Sequence, residues 1–217
     1  KYKLLNCVKT KYADITLIYA HNLLFEAALK DNCDKIISLS QSCIPFKSFD
    51  YIYKFLTKDD FCHFNVMPDI QCFPRCVYLL NFYEKSAIKK SSNWFILNRK
   101  TCNVILDVKK EEIKRRFSNI ASPEEHFYIT TIFTNNLERE IKMTPNLSND
   151  ATTFTNWPDM NYKYIFRPNI GDRMPKHYKS ISEEELKYLI NSKCLFGRKF
   201  TKECYNSFVN NSYMRML

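Results

Sequence analysis

Scarcity of glycine is the feature that most limits the folds open to this chain. Its 217 residues include only two glycines, Gly171 and Gly197. Rossmann and P-loop proteins wrap phosphate groups in a glycine-rich turn, because only glycine lets the backbone approach the ligand closely. The sequence therefore excludes both of these nucleotide-binding architectures.

Hydrophobic patterning predicts an alternation of helices and strands. Apolar residues recur at helical intervals in some segments, and short β-branched or aromatic runs mark others as strands. The predicted helices are 14–30, 49–56, 109–117 and 182–191, and the predicted strands are 35–40, 94–97 and 152–157. Segment 59–75, with two prolines and scattered aromatics, is predicted to be irregular and exposed. This order favours an α/β fold.

The chain is long and apolar enough to bury a core as one domain spanning 1–217. Hydrophobic residues make up 45% of it, and we find no repeat, no linker and no apolar run of the roughly 20 residues that a membrane span needs. Because the first residue is Lys1 rather than methionine, removal of a signal peptide, an anchor or an upstream segment stays open.

The formal net charge is +10, which allows two interpretations. A basic surface favours anionic partners such as phosphates or nucleic acid, whereas a lysine-rich solvated surface requires no partner at all. We find no motif that reads nucleic acid, so we predict no nucleic-acid partner.

Nine cysteines cannot all pair within the chain, because their number is odd. The densest group is Cys62, His63, Cys72 and Cys76, but it lacks the paired CxxC spacing of structural zinc modules. Buried or disulfide-bonded cysteines are the alternative to zinc, and we predict no metal site.

The segment Ser122-Pro-Glu-Glu-His126 allows a structural and a catalytic interpretation. Ser122 and Glu125 have the spacing of a capping box at a helix start, as do Ser182 and Glu185. A helix N-terminus also stabilises negative charge, so Glu125 would suit a general base that takes a proton from a hydroxyl.

Two groups of cations would suit a diphosphate. The chain has no Asp-x-Asp pair with which to hold a divalent cation, so cationic side chains would have to neutralise a bound diphosphate. The candidates are Arg198 and Lys199, with Lys176, His177 and Lys179 upstream. A solvated basic face is the alternative.

Five stretches, in order, resemble the core-2/I-branching β-1,6-N-acetylglucosaminyltransferases and their plant relatives. Residues 38–45 (SLSQSCIP) resemble the family's LSESCIPL, and 90–94 (KSSNW) resemble its KGSQW. Residues 122–127 (SPEEHF) are similar to SPDEHF, 155–157 (TNW) to VDW, and 195–200 (LFGRKF) to LFARKF.

The resemblance implies a GT-A-like domain with a mixed central sheet flanked by helices, and an inverting, metal-independent transfer. It implies that Glu125 is the catalytic base and that Lys199 contacts the UDP diphosphate, with a second cation within 176–179. Trp157 matches a tryptophan that lines the acceptor site, although a core aromatic is the alternative. We assign Trp94 to the core.

The expected donor is a UDP-sugar, most simply UDP-N-acetylglucosamine, and the expected acceptor is a glycan or glycoprotein. Residues 8–13 resemble the segment just before the family's central strand, so we expect the opening strands, which hold uridine, to lie outside this chain. The alternative is a shortened, catalytically silent relative. The resemblance also implies the secretory pathway and a type II membrane protein, with membrane association only through a segment absent from this chain.

Overall fold

The computed structural model describes residues 7–67, 75–143, 152–157 and 174–208. Within this part of the chain the helices are α1 (Thr16–Lys30), α2 (Phe49–Thr57), α3 (Arg99–Leu106), α4 (Lys110–Phe117), α5 (Glu124–Thr134), α6 (Glu183–Ile190) and α7 (Lys202–Phe208). The strands are β1 (Lys35–Ile37), β2 (Ile44–Pro45), β3 (Cys62–Phe64), β4 (Ile96–Asn98), β5 (Ile141–Met143), β6 (Thr153–Thr155) and β7 (Phe196–Arg198). None of the described helices combines the length and the apolarity that a membrane crossing requires.

The chain divides into two compact units. Unit 1 consists of Lys1–Ser38 and Phe61–Met143, and unit 2 consists of Leu39–Asp60 and Thr144–Leu217. Each unit has its own cluster of buried apolar side chains. Our prediction of one domain spanning 1–217 stays a prediction.

Unit 1 contains a four-stranded mixed sheet in the order β1-β4-β3-β5. Strand β4 pairs antiparallel with β1, placing Leu97 opposite Ile36, and antiparallel with β3 on its other side. Strand β3 pairs parallel with β5, placing Cys62 opposite Ile141. All three residues of β3 are buried, because the strand is central in the sheet.

Helix α5 is the central helix of unit 1. Its buried residues include every position from His126 to Ile132, so it has no wide polar face. Phe127 and Tyr128 are fully buried and pack edge to face with each other, and Tyr128 also contacts Phe25 and Phe95. A helix enclosed on all sides is held rigidly, so the side chains of its first turn extend from a fixed backbone position.

Unit 2 contains a three-stranded mixed sheet in the order β2-β7-β6. Gly197 lies at its centre, opposite Ile44 on one side and Phe154 on the other. The Phe46 ring covers this glycine so closely that a Cβ atom there would lie 2.0 Å from Phe46 Cζ. Glycine is required here by the close approach of an aromatic ring, and β7 then delivers Arg198 and Lys199 at its end.

The structure agrees with most of the predicted elements. The four predicted helices and the three predicted strands are present, with ends that differ by a few residues. The prediction for segment 59–75 was wrong for β3, which is a buried strand; a central strand of three residues has no alternating pattern to mark it. Trp94, assigned to the core, is only partly buried.

Candidate active site

Glu125 lies in the first turn of α5, where Ser122 was predicted to cap the helix through its side chain. That prediction was wrong: the N-cap residue is Pro123, and no side-chain hydrogen bond caps the helix. Ser122 has a left-handed backbone, with φ 54°, and its carbonyl accepts a hydrogen bond from the Glu125 N–H at 3.0 Å. By contrast, Ser182 does cap α6, because its Oγ accepts from the Glu185 N–H at 3.1 Å. The Glu125 carboxylate is therefore not engaged in helix capping.

Two cations flank the Glu125 carboxylate. Its Oε2 lies 3.4 Å from Lys90 Nζ and 3.9 Å from an Arg75 guanidinium nitrogen. The Glu125 side chain is 26% exposed, so a ligand can still reach it. Lys90 and Arg75 therefore hold a carboxylate that the hydroxyl group of a ligand can reach.

The backbone of the segment that carries Lys90 is held to α5 by three hydrogen bonds. The Ser91 N–H donates to the Glu125 carbonyl at 2.8 Å, and His126 Nδ1 lies 3.0 Å from the Lys89 carbonyl oxygen. The Thr130 hydroxyl accepts from the Lys89 N–H at 3.2 Å. The sequence did not predict Lys90 or Arg75 as partners of Glu125, although residues 90–94 were singled out as a family-like stretch.

The neighbours of Glu125 on α5 are less accessible. Glu124 is 4% exposed and accepts a hydrogen bond from Asn93 Nδ2 at 3.2 Å, and burial raises the pKa of its carboxyl group. His126 is fully buried, and burial lowers its pKa to about 4. Of the three ionisable groups at positions 124–126, only Glu125 offers a partly exposed base.

A second group of candidate residues lines a cavity in unit 2. The cavity has a volume of about 820 Å³, and its walls include Ser40, Ser42, His177, Arg198 and Lys199. Burial lowers the pKa of the Lys199 ammonium, and the neighbouring Arg198 guanidinium lowers it further. Lys199 forms no ion pair with any carboxylate of the described residues.

The pKa of His177 indicates the electrostatic potential in this cavity. Partial burial lowers the pKa of its imidazole, and the positive charges of Lys199, Arg198 and Lys179 lower it further. Three cations around one exposed histidine make the cavity electropositive. Such a site suits an anion bearing several oxygen atoms, such as a diphosphate.

Lys176 forms an ion pair with a buried carboxylate of unit 2. Its Nζ lies 3.2 Å from Glu185 Oε1, and it lies over the Tyr178 ring at 4.4 Å from the centroid. The Tyr178 hydroxyl donates to the same Glu185 oxygen at 3.0 Å, and Glu185 is 3% exposed. Lys176 therefore neutralises a buried carboxylate, whereas Lys179 is exposed beside His177.

Trp157 follows β6 and is 38% exposed. The alternative interpretation, a core aromatic, therefore does not describe it. The Lys176 N–H donates to the carbonyl of Asn156 at 2.8 Å, so the backbone before Trp157 is joined to segment 174–179. A half-exposed indole is suited to contact a sugar ring.

No group of three or more potential ligands that could hold a metal ion occurs among the described residues. Cys62 Sγ lies 2.9 Å from the Thr101 hydroxyl and 3.2 Å from the Asn98 N–H, so it is part of a hydrogen-bond network in unit 1. Cys72, which belongs to the same group of candidate zinc ligands, lies outside the described residues.

The fold is mixed α/β; unit 1 carries a partly exposed carboxylate, and unit 2 carries an electropositive cavity. A family model described as Core-2/I-Branching enzyme matches residues 3–190. The chain therefore belongs to the Core-2/I-Branching enzyme family and is a glycosyltransferase by family. The predicted family and the α/β, GT-A-like fold class are confirmed, with the mixed sheet present as two sheets. No curated protein matches the chain.

The matched range divides the candidate residues. It includes Glu125, Trp157, Lys176 and Lys179, and it ends before β7. The candidate role of Arg198 and Lys199 is therefore supported by the resemblance of residues 195–200 and by the cavity that these two residues line.

Proposed function

We propose that this chain is an inverting glycosyltransferase that moves N-acetylglucosamine from UDP-N-acetylglucosamine to a hydroxyl group of a glycan, without a metal ion. The observation that carries the proposal is the partly exposed Glu125 carboxylate, held at the start of a buried helix between two cations. The electropositive cavity of unit 2 supports it, because a UDP leaving group needs neutralising charge.

The reaction would form one bond and break another on opposite faces of the sugar. Glu125 takes the proton of the acceptor hydroxyl as its oxygen attacks the anomeric carbon, and the bond from that carbon to the diphosphate oxygen breaks. The electron pair leaves with UDP. Attack from the face opposite the leaving group inverts the anomeric configuration.

Lys90 and Arg75 would act on the acceptor side of this step. Before the acceptor binds, they balance the charge of Glu125 and hold its carboxylate in place. An acceptor hydroxyl that hydrogen-bonds to Glu125 competes with these two contacts. Because Lys90 is 16% exposed and Arg75 is 54% exposed, Arg75 is the partner that moves aside at the lower cost.

Arg198 and Lys199 would act on the donor side. A guanidinium binds two phosphate oxygens in a fixed fork, and an ammonium adds a compact positive charge. Together with His177 and Lys179 they would take the role that a divalent cation has in other transferases. Trp157 would contact the acceptor sugar through its half-exposed ring.

Calorimetric titration of UDP in the presence of EDTA tests the donor side. We expect wild-type protein to bind UDP, and Lys199→Ala to bind about tenfold more weakly because one charge-assisted contact to phosphate is lost. Lys193→Ala is the matched control, because Lys193 is an exposed lysine of unit 2 outside the cavity. Absence of UDP binding by the wild type would contradict the proposed donor. Binding that EDTA abolishes would contradict the metal-free mechanism.

A further inference from the structure

A second cavity, of about 690 Å³, lies in unit 1. Its walls come from residues of segments 80–87 and 133–138, so it includes the C-terminal end of α5. Glu125 lies at the opposite end of the same helix. Phe133 follows Glu125 by eight positions, which corresponds to about 12 Å along the helix axis at about 1.5 Å per residue.

Three aromatic side chains line this cavity, and cations hold each of them in place. Phe82 lies under the Arg115 guanidinium and Phe133 under the Lys89 ammonium, at 5.0 and 5.4 Å from the ring centroids. The Tyr83 hydroxyl accepts a hydrogen bond from Arg116 at 3.1 Å. The rings are therefore anchored before any ligand arrives, which lowers the entropic cost of binding.

Two carboxylates of the same cavity have no charged partner among the described residues. Glu84 and Glu138 line it, and neither forms an ion pair with another described residue, although the chain has an excess of ten positive charges. Asn136 adds a side-chain amide to the wall. Anchored aromatic surface beside unpaired carboxylates is suited to a ligand that offers both apolar faces and hydroxyl donors.

We propose that this cavity binds neutral sugar units of the acceptor, remote from the hydroxyl that reacts. A pyranose ring has an apolar C–H face that packs on an aromatic ring, and its edge carries hydroxyl donors for carboxylates. The two carboxylates repel phosphates and acidic sugars, so the ligand is uncharged. This inference rests on the proposed function, because it names part of the substrate of the same reaction.

A continuous set of contacts leads from the cavity to Glu125. Phe133 contacts the Lys89 ammonium, the Lys89 backbone is held by His126 and Thr130 of α5, and Lys90 pairs with Glu125. An oligosaccharide that occupies the cavity can extend along this surface toward the base. Binding energy from such remote units positions the reacting hydroxyl, so a truncated acceptor loses rate as well as affinity.

Titration of neutral tetrasaccharides, without donor and followed by NMR, tests the inference. Chitotetraose, cellotetraose and lacto-N-neotetraose are the probes, and a sialylated tetrasaccharide is the acidic control. We expect at least one neutral probe to bind, and Glu84→Gln/Glu138→Gln to weaken it about tenfold through the loss of charge-assisted hydrogen bonds. Glu26→Gln/Glu111→Gln makes the same charge change at exposed positions outside the cavity and should bind as the wild type does.

A second variant fills the cavity instead of changing its charge. Ser86→Trp places an indole at its exposed wall and is expected to abolish binding, whereas Asn119→Trp, at an exposed position elsewhere in unit 1, is not. Circular dichroism verifies that both variants fold. The proposal would be overturned if no neutral probe binds. It would also be overturned if the wild type, Glu84→Gln/Glu138→Gln and Ser86→Trp bind with equal affinity.

Transfer assays separate this inference from the proposed function. If the wild type transfers sugar but the Glu84→Gln/Glu138→Gln variant keeps the same preference for long over short acceptors, the remote subsite is refuted and the transferase stands. If neutral probes bind to the cavity and no transfer occurs under any condition, the proposed function fails while sugar binding stands.

Discussion

Replacement of Gly197 by alanine tests whether this glycine is fitted to one aromatic ring. The added Cβ would lie 2.0, 2.5 and 2.8 Å from three atoms of the Phe46 ring. The family stretch LFARKF has alanine at this position, and LSESCIPL, when its SCIP is aligned with residues 42–45, has leucine where this chain has Phe46. The chain therefore differs from the family at both residues of one contact: Phe46 is larger than the family's leucine, and Gly197 is smaller than its alanine.

The cost of the substitution follows from how tightly Phe46 is held. Phe46 is fully buried and packs against Phe154 and Phe200, so its ring cannot move without disturbing the small core of unit 2. Overpacking of this kind costs about 1–3 kcal/mol. For a chain of this length each kcal/mol lowers Tm by about 2–4 °C. Because Gly197 precedes Arg198 and Lys199, we also expect weaker binding of UDP.

Thermal unfolding of four proteins measures the effect: wild type, Gly197→Ala, Phe46→Leu and the double variant. Phe46→Leu alone leaves unfilled space and destabilises, whereas the double variant restores the family's pair of residues. We expect the double variant to be more stable than the sum of the single effects predicts, by about 1–3 kcal/mol. The reasoning is refuted if Gly197→Ala has the Tm of the wild type, or if the two effects are additive.

Two further predictions concern buried ionisable groups. Lys176→Met should destabilise the protein by about 2 kcal/mol, measured by denaturant unfolding, because it removes a partner of buried Glu185. Calorimetry should show that it changes UDP affinity less than Lys199→Ala does. His126 has a pKa of about 4 in the folded protein against 6.5 ordinarily, so the unfolded chain binds more protons between these values and stability falls as pH is lowered through that window. His126→Gln should remove up to about 3 kcal/mol of this pH dependence, measured by denaturant unfolding across the window, and an unchanged slope would contradict the assignment.

The sequence predicted those parts of the molecule that depend on local patterns. Helices such as α2 and α6 carry their periodicity and caps within a few residues, so their positions agree with the structure. Strand β3 was missed because its three buried residues acquire their conformation from pairing with β4 and β5.

The candidate site also combines residues that a local stretch identified with residues that only the fold brings together. Glu125 could be singled out because it belongs to a short family-like stretch, but its partners Lys90 and Arg75 are brought to it by the fold from at least 35 positions away in the chain. Lys176 was grouped with the cations of the cavity because of its sequence position, and only the fold directs it toward Glu185.

The central claim is that Glu125 is the base of a metal-free sugar transfer, and a transfer assay tests it most directly. Labelled UDP-N-acetylglucosamine is incubated with a panel of neutral glycans and EDTA, and product is measured for wild type, Glu125→Gln and Glu124→Gln. Glu124 is the adjacent glutamate on α5, it is 4% exposed, and glutamine keeps its size and its acceptor oxygen for Asn93, so the variant is a matched control. We predict transfer by the wild type and by Glu124→Gln, and a loss of at least about 100-fold in Glu125→Gln. Wild-type transfer that Glu125→Gln leaves unchanged would contradict the account.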